Sequence, residues 1–235
     1  MRRRYLVVDD NSSFAENLAE VLSDTGAEVA ITASGAQALH AVAASRFDVL
    51  ITDMRMPVMS GAHLVHEIRR VDPGLPAVIV TAYTAEDDLL AARDEGLLAV
   101  FPKPVPLDRL IQVLRVARRD GLVALVEDDA GLADNLSEAM RDRGFSAVTA
   151  RTVAEADRLG GVQPFAAVID LRLPGSPDGE ALRRILARTP HLPVMVMSAY
   201  PDAIRGVAAP RIFEKPFATG KFLDALEQIH AEQRR

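Results

Sequence analysis

Two stretches of the chain share one construction. Val49-Leu50-Ile51-Thr52-Asp53-Met54-Arg55-Met56-Pro57 and Ala167-Val168-Ile169-Asp170-Leu171-Arg172-Leu173-Pro174 each run through apolar and β-branched residues into a single aspartate, followed by x-Arg-x-Pro. A run so short and so apolar reads as a strand buried on both faces, as in parallel sheets covered by helices. Each Asp then stands at the carboxyl end of its strand, where open α/β sheets place their reactive groups. The two aspartates are 117 positions apart in a chain of 235 residues, so the repeat divides the molecule in half.

Strand and helix signals alternate on either side of the first Asp. Residues 5–8, 28–32, 47–52, 77–81 and 98–101 read as strands. Phe14, Leu18, Val21 and Leu22 fall on one face of a helix that Ser12 can cap and Gly26 ends. Residues 36–44, 61–71, 86–95 and 107–118 read as further helices. Five βα units in succession predict an α/β, doubly wound domain with a five-stranded parallel sheet. At Leu122 the series restarts: Glu127-Asp128 matches Asp9-Asp10, Ser198 matches Thr81, and Lys215-Pro216 matches Lys103-Pro104. The expected architecture is two tandem (βα)5 domains, 1–119 and 120–235. Arg118-Arg119-Asp120-Gly121 holds no Pro- or Ser-rich linker, so the domains are expected to join closely, through a continued last helix of the first. One interval differs. Thr81 to Lys103 spans 22 positions and Ser198 to Lys215 only 17, which removes over one turn from the fourth helix of the second domain and predicts a stub or irregular loop at 201–210.

Composition narrows the function classes. The chain has no Cys, which removes disulfides, thiol chemistry and Cys-ligated zinc. Arg2-Arg3-Arg4 is followed by only four apolar residues, unlike a signal peptide, and no apolar run approaches the ~20 residues that span a bilayer. A cytoplasmic protein without membrane association is expected. The net charge of −6 divides evenly between the halves, which argues against direct nucleic-acid binding. Of 27 basic residues only Lys103, Lys215 and Lys221 are Lys, so two of the three stand at matched strand ends.

Asp9, Asp10 and Asp53 all follow strands and should meet at one edge of the sheet. Three close carboxylates repel unless a hard cation or protons join them. Oxygen-only ligation suits Mg²⁺, which takes one or two carboxylates, keeps waters and binds phosphate oxygens. Thr81 adds a hydroxyl and Lys103 a compact cation on a flexible stem. A carboxylate acceptor, a metal, a hydroxyl and an ammonium are the parts that stabilise a transferring phosphoryl group.

On these motifs the whole chain resembles two tandem receiver (CheY-like) domains of the two-component response-regulator family. The resemblance implies that Asp53 accepts a phosphoryl group from a phosphohistidine on a sensor histidine kinase or a histidine phosphotransfer protein. It implies Mg²⁺ at Asp10, Asp53 and the Arg55 carbonyl, with Asp9 acting through water, while Thr81 and Lys103 bind the phosphoryl oxygens. In the second domain it implies Asp170 as acceptor, with Glu127, Asp128 and the Arg172 carbonyl at the metal and Ser198 and Lys215 completing the site. Asp129, one place beyond the acidic pair, is expected to be a solvated neighbour. Such a protein catalyses only its own phosphorylation and dephosphorylation, and here it is expected to regulate partners without an attached DNA-binding or enzymatic output domain. Arg55 with Tyr83, and Arg172 with Tyr200, flank the line of approach of hydrolytic water, which predicts a long-lived phosphoryl group.

Two departures stand beside the match. Receivers carry Tyr or Phe three residues before the Lys, where this chain has Val100 and Ile212; Phe101 and Phe213 lie one position off and should face the other way. The shortened fourth helix alters the usual partner face of the second domain, so any homodimer is expected to form through the first domain or the joint near Arg118. A phosphorylation-independent scaffold, with the second receiver as an interaction or dimerisation module, is the alternative reading. A dehalogenase-like phosphohydrolase would place Asp-x-Asp on its first strand, where Asp9 and Asp10 are adjacent. A nucleotide-binding fold would need a Gly-rich first turn, where Asp10-Asn11-Ser12-Ser13 has none.

Overall fold

The computed structural model describes residues 2–82, 96–159, 162–200 and 211–233. The chain forms two compact units, Met1–Arg119 and Asp120–Arg235. The first contains β1 (Arg4–Val8), α1 (Ser12–Asp24), β2 (Glu28–Thr32), α2 (Gly35–Ala44), β3 (Val49–Asp53), α3 (Gly61–Val71), β4 (Ala77–Thr81), β5 (Ala99–Pro102) and α4 (Leu107–Val116). The second contains β6 (Leu122–Val126), α5 (Ala130–Asp142), β7 (Ser146–Ala150), α6 (Val153–Arg158), β8 (Ala166–Asp170), α7 (Glu180–Arg188), β9 (Val194–Ser198), β10 (Arg211–Glu214) and α8 (Thr219–Gln233). Residues 86–95 and 201–210, where the fourth helices were expected, lie outside the described residues.

Each unit is an α/β fold on a five-stranded, all-parallel sheet, ordered β2-β1-β3-β4-β5 in the first and β10-β9-β8-β6-β7 in the second. These are the same order read from opposite edges. The central strands β3, β4, β6, β8 and β9 are buried at every residue, which is why their sequences are continuously apolar rather than alternating. In the first unit one face of the sheet packs Leu6, Leu50 and Ile79 against α2 and α3, and the other packs Tyr5, Ile51 and Val80 against α1 and α4. Phe101 belongs to the second of these layers and Val100 to the first, so the two sides are divided as the alternation requires.

Local details correct three readings of the sequence. Asn11, not Ser12, caps α1, its side chain accepting from Phe14 N. Asp129 does the same for α5, accepting from Leu132 N, and so has a structural task beyond solvation. The last helix of the first unit does not run through the joint. It stops at Val116, and the chain turns so that Arg119 donates to both oxygens of Asp72, at 2.6 and 2.7 Å, and to the Phe47 carbonyl. The carbonyls at this helix end are taken by Arg3, which donates to Leu114 and Ala117 through Nη1 and to Arg115 through Nη2.

The helix after each acceptor strand starts against that strand. Gly61 N donates to the Met54 carbonyl at 2.8 Å, and a Cβ on Gly61 would overlap the Asp53 carbonyl oxygen. In the second unit Gly179 N donates to the Leu171 carbonyl at 2.6 Å, but Gly179 is at φ +73° with no backbone so close. Gly61 is therefore required by packing and Gly179 by its left-handed conformation. Gly61→Ala should destabilise the chain by about 2–3 kcal/mol, since the obstacle is backbone that cannot rotate away. Urea unfolding checks this, the expected outcome being a lower midpoint with an unchanged slope.

Candidate functional site

Strand register assembles the site. Val8 pairs with Thr52, so Asp9 and Asp53 emerge side by side at the carboxyl edge. Asp53 pairs with Val80 and Thr81 with Pro102, so Thr81 and Lys103 follow in the next two places. Lys103 N donates to the Thr81 carbonyl at 2.8 Å, which extends the ladder one residue past β5. The second unit repeats this: Val126 pairs with Ile169, placing Glu127 beside Asp170, and Lys215 N donates to the Ser198 carbonyl at 2.9 Å.

One ammonium joins the carboxylates in each unit. Lys103 Nζ lies 2.6 Å from Asp9 Oδ2 and 2.7 Å from Asp53 Oδ1. Lys215 Nζ lies 2.6 Å from Glu127 Oε2 and 2.5 Å from Asp170 Oδ2. The carboxylates are almost wholly buried, Asp9 and Glu127 at 2% and 1% exposed and Asp53 and Asp170 both at 7%. The other acceptor oxygen receives a backbone N–H, from Arg55 to Asp53 Oδ2 at 2.6 Å and from Arg172 to Asp170 Oδ1 at 2.9 Å. The Lys103 ammonium also sits 4.1 Å from the centre of the Phe14 ring. Phe14 reads from sequence as a core residue, and its role as a wall of the charge site follows only from tertiary contact.

The acidic set closes more tightly in the second unit. Glu127, Asp128 and Asp170 each offer an oxygen within 4.8 Å of the others, a donor set of oxygens alone that fits a hard divalent cation. Among the described residues the first unit shows no such group, and there Asp10 is exposed. Three carboxylates and one ammonium leave a formal charge of −2 at either site.

The hydroxyls differ in what is shown of them. Thr81 and Ser198 are both fully buried at their strand ends. Ser198 Oγ is turned into its own loop, accepting from Tyr200 N at 3.1 Å and donating to the Tyr200 carbonyl at 3.3 Å. The Arg172 guanidinium lies 3.8 Å from the Tyr200 ring centre and is held by Asp178 through Nε at 3.1 Å and Nη2 at 3.0 Å. The two expected flanking side chains of the second unit thus stack on each other. Asp178, which orders the pair, was not singled out from sequence. Tyr83, the first unit's counterpart, lies outside the described residues.

Titration reflects this crowding. Burial pulls the Lys103 ammonium down, but the hydrogen bonds and charges of Asp53 and Asp9 outweigh it and hold its pKa above the ordinary value. The same balance, with Asp170 and Glu127, raises Lys215. Burial also pushes the Glu127 carboxyl up, against the pull of Lys215 and with the help of Asp170. A lysine raised on folding contributes stability that is complete below its unfolded pKa, ordinarily 10.5, and is lost as pH rises through the higher folded value. The unfolding free-energy difference between the parent and Lys215→Met should therefore shrink as pH rises above 10.5, as measured by denaturant titration across that range.

The chain is similar in sequence to known proteins. The family model described as the response regulator receiver domain matches residues 5–115. A response regulator receiver protein of Anaeromyxobacter sp. (strain Fw109-5) is 56% identical over 231 residues, 98% of this chain and 97% of that protein. The response regulator MprA of Mycobacterium ulcerans (strain Agy99) is 30% identical over 189 residues, 80% of this chain and 77% of that protein. Among solved structures, the chemotaxis response regulator CheY4 of Vibrio cholerae is 30% identical with a TM-score of 0.46, covering 49% of this chain and 98% of that one. The repeated sheet, the lysine-bridged carboxylates and a relative matched from end to end lead to one conclusion: the chain belongs to the response regulator receiver family of two-component signalling.

Proposed function

We propose that the protein is a Mg²⁺-dependent phosphoryl acceptor with two sites, Asp53 and Asp170, charged by a phosphohistidine of a sensor histidine kinase or histidine phosphotransfer protein. The observation that carries this reading is the lysine bridge present in both units. Lys103 and Lys215 each touch an acceptor and the buried acid beside it, at 2.5 to 2.7 Å. A scaffold that had given up phosphorylation would have no need to keep two buried carboxylates against one ammonium, because such groups are costly unless paired. No catalysis beyond the protein's own phosphorylation and dephosphorylation is assigned to it.

In the transfer, an acceptor carboxylate oxygen forms the P–O bond while the P–N bond to the donor imidazole breaks, its electron pair staying with the ring nitrogen. The backbone N–H of Arg55 or Arg172 holds the second carboxylate oxygen and so orients the first. Lys103 or Lys215 can move from the carboxylate to a phosphoryl oxygen without leaving the site, since its stem is flexible and its ammonium is a point charge. The hydroxyl of Thr81 or Ser198 would meet another phosphoryl oxygen; for Ser198 this means leaving the Tyr200 backbone. Mg²⁺ would be held by Asp10, Asp53 and the Arg55 carbonyl near Asp9, and by Asp128, Asp170 and the Arg172 carbonyl near Glu127. When bound, it supplies the positive charge that the formal −2 of each site lacks.

Incubation with a small-molecule phosphoryl donor and Mg²⁺ should add up to two phosphoryl groups by intact mass. Asp53→Asn and Asp170→Asn should each remove one, and chelation of the metal should suppress both. Labelling that is unchanged in Asp53→Asn, or equal in chelator, would overturn the assignment.

The Arg172–Tyr200 stack bears on lifetime. In receivers these two positions flank the approach of water in line with the phosphorus, so we read the stacked pair as a shield over Asp170, one that offers neither a carboxylate nor an imidazole to activate water. Tyr200→Ala should speed decay of the phosphorylated second unit about tenfold, a change of only ~1.4 kcal/mol in the barrier. Decay followed on Asp53→Asn protein isolates that unit, and a rate unchanged or slowed by the truncation would refute the shielding.

A further inference from the structure

The loops after the two acceptors end differently, and the difference frees a carboxylate. In each unit the next helix starts beside a glycine whose N–H meets the carbonyl one residue past the acceptor, Gly61 to Met54 and Gly179 to Leu171. Eight positions separate Asp53 from Gly61, and nine separate Asp170 from Gly179. Ser60, the residue before the first glycine, caps α3 by accepting from His63 N at 3.2 Å. Asp178 stands before the second glycine and is by type as competent a cap. It is not used as one. The cap of α7 is Gly179, at φ +73° and with no side-chain bond, and the Asp178 carboxylate is turned onto Arg172 instead.

This pairing fixes an orientation. Asp178 Oδ1 accepts from Arg172 Nε at 3.1 Å and Oδ2 accepts from Nη2 at 3.0 Å, so two bonds lie along one edge of the guanidinium. A single contact would leave the group free to turn on its stem, whereas two in its plane hold that plane. The guanidinium so held lies 3.8 Å from the centre of the Tyr200 ring. Asp178 is steadied in turn by Arg183 Nη1, which donates to its carbonyl at 3.1 Å. The Arg172 and Asp178 side chains are 46% and 45% exposed, so the pair adds little to stability and its contribution is geometric. We propose that Asp178 is a positioning residue for the second acceptor: through Arg172 it keeps the Arg172–Tyr200 stack closed and lengthens the life of the phosphoryl group on Asp170. The inference rests on Asp170 being an acceptor and on the stack being its shield.

The test is a cycle of variants made in Asp53→Asn protein, labelled with a small-molecule phosphoryl donor and Mg²⁺ and followed by intact mass as the label decays. Asp178→Ala should speed decay about threefold, the scale of an exposed ion pair. In Tyr200→Ala protein the same change should have no further effect, because the stack that Asp178 serves is already gone. Nuclear Overhauser contacts between the Arg172 Hδ protons and the Tyr200 ring should weaken in Asp178→Ala while the amide shifts of α7 beyond its first turn stay in place. Decay that Tyr200→Ala speeds and Asp178→Ala does not would overturn the proposal and leave the shield standing. Effects of the two truncations that add in full would assign Asp178 to the loop and overturn it too. Decay that neither truncation changes would remove the shield itself, and absence of label on Asp170 would remove the acceptor; the proposal falls in both cases, for different reasons.

Discussion

A single ammonium held between two buried carboxylates is the interaction on which each unit is organised. Asp9 with Asp53, and Glu127 with Asp170, are brought together because β1 and β3, and likewise β6 and β8, are neighbours at the point where the strand order reverses. Buried and unpaired, such carboxylates would repel and take up protons. Lys103 and Lys215 offset that repulsion from the end of the next strand but one, and do so incompletely. What is left over is negative charge facing the loops, which suits a divalent cation and a phosphoryl group arriving together.

Around this edge the two units differ in ways that local packing explains. The first fits Gly61 against the backbone of its acceptor strand and lays Phe14 beneath its lysine. The second has a leucine, Leu132, at the position of Phe14, and stacks Arg172 on Tyr200 with Asp178 as the anchor. The loop after each acceptor also passes through a left-handed residue, Val58 at φ +70° in the first and Gly175 at φ +73° in the second. A β-branched residue in that region is a strained choice and glycine an easy one. The charged edge is common to both units while the supporting shell is not.

Much of this was legible in the residues because buried parallel strands leave a strong mark. Five short apolar runs per half, most of them ending in Asp, Glu, Thr, Ser or Lys, determine the sheet, and the strand ends then determine which side chains share an edge. The aspartates at the strand ends, the scarcity of lysine and its place beside proline needed no coordinates. Helix ends were less legible. Asn11 and Ser12 are both competent caps, and only the direction in which the chain leaves β1 selects between them. The end of α4 at Val116 is set by Arg119 finding Asp72 and Phe47, residues 47 and 72 positions away.

The sequence by itself determined the two βα series, their parallel sheets and the set of groups at each carboxyl edge, because strand periodicity and chain order are local properties. Tertiary structure alone decided that the lysine touches both acids at once, that Ser198 turns into its own loop and that Arg172 lies on Tyr200. Each of these depends on distances between elements set by packing of the whole unit, and no spacing along one strand encodes them.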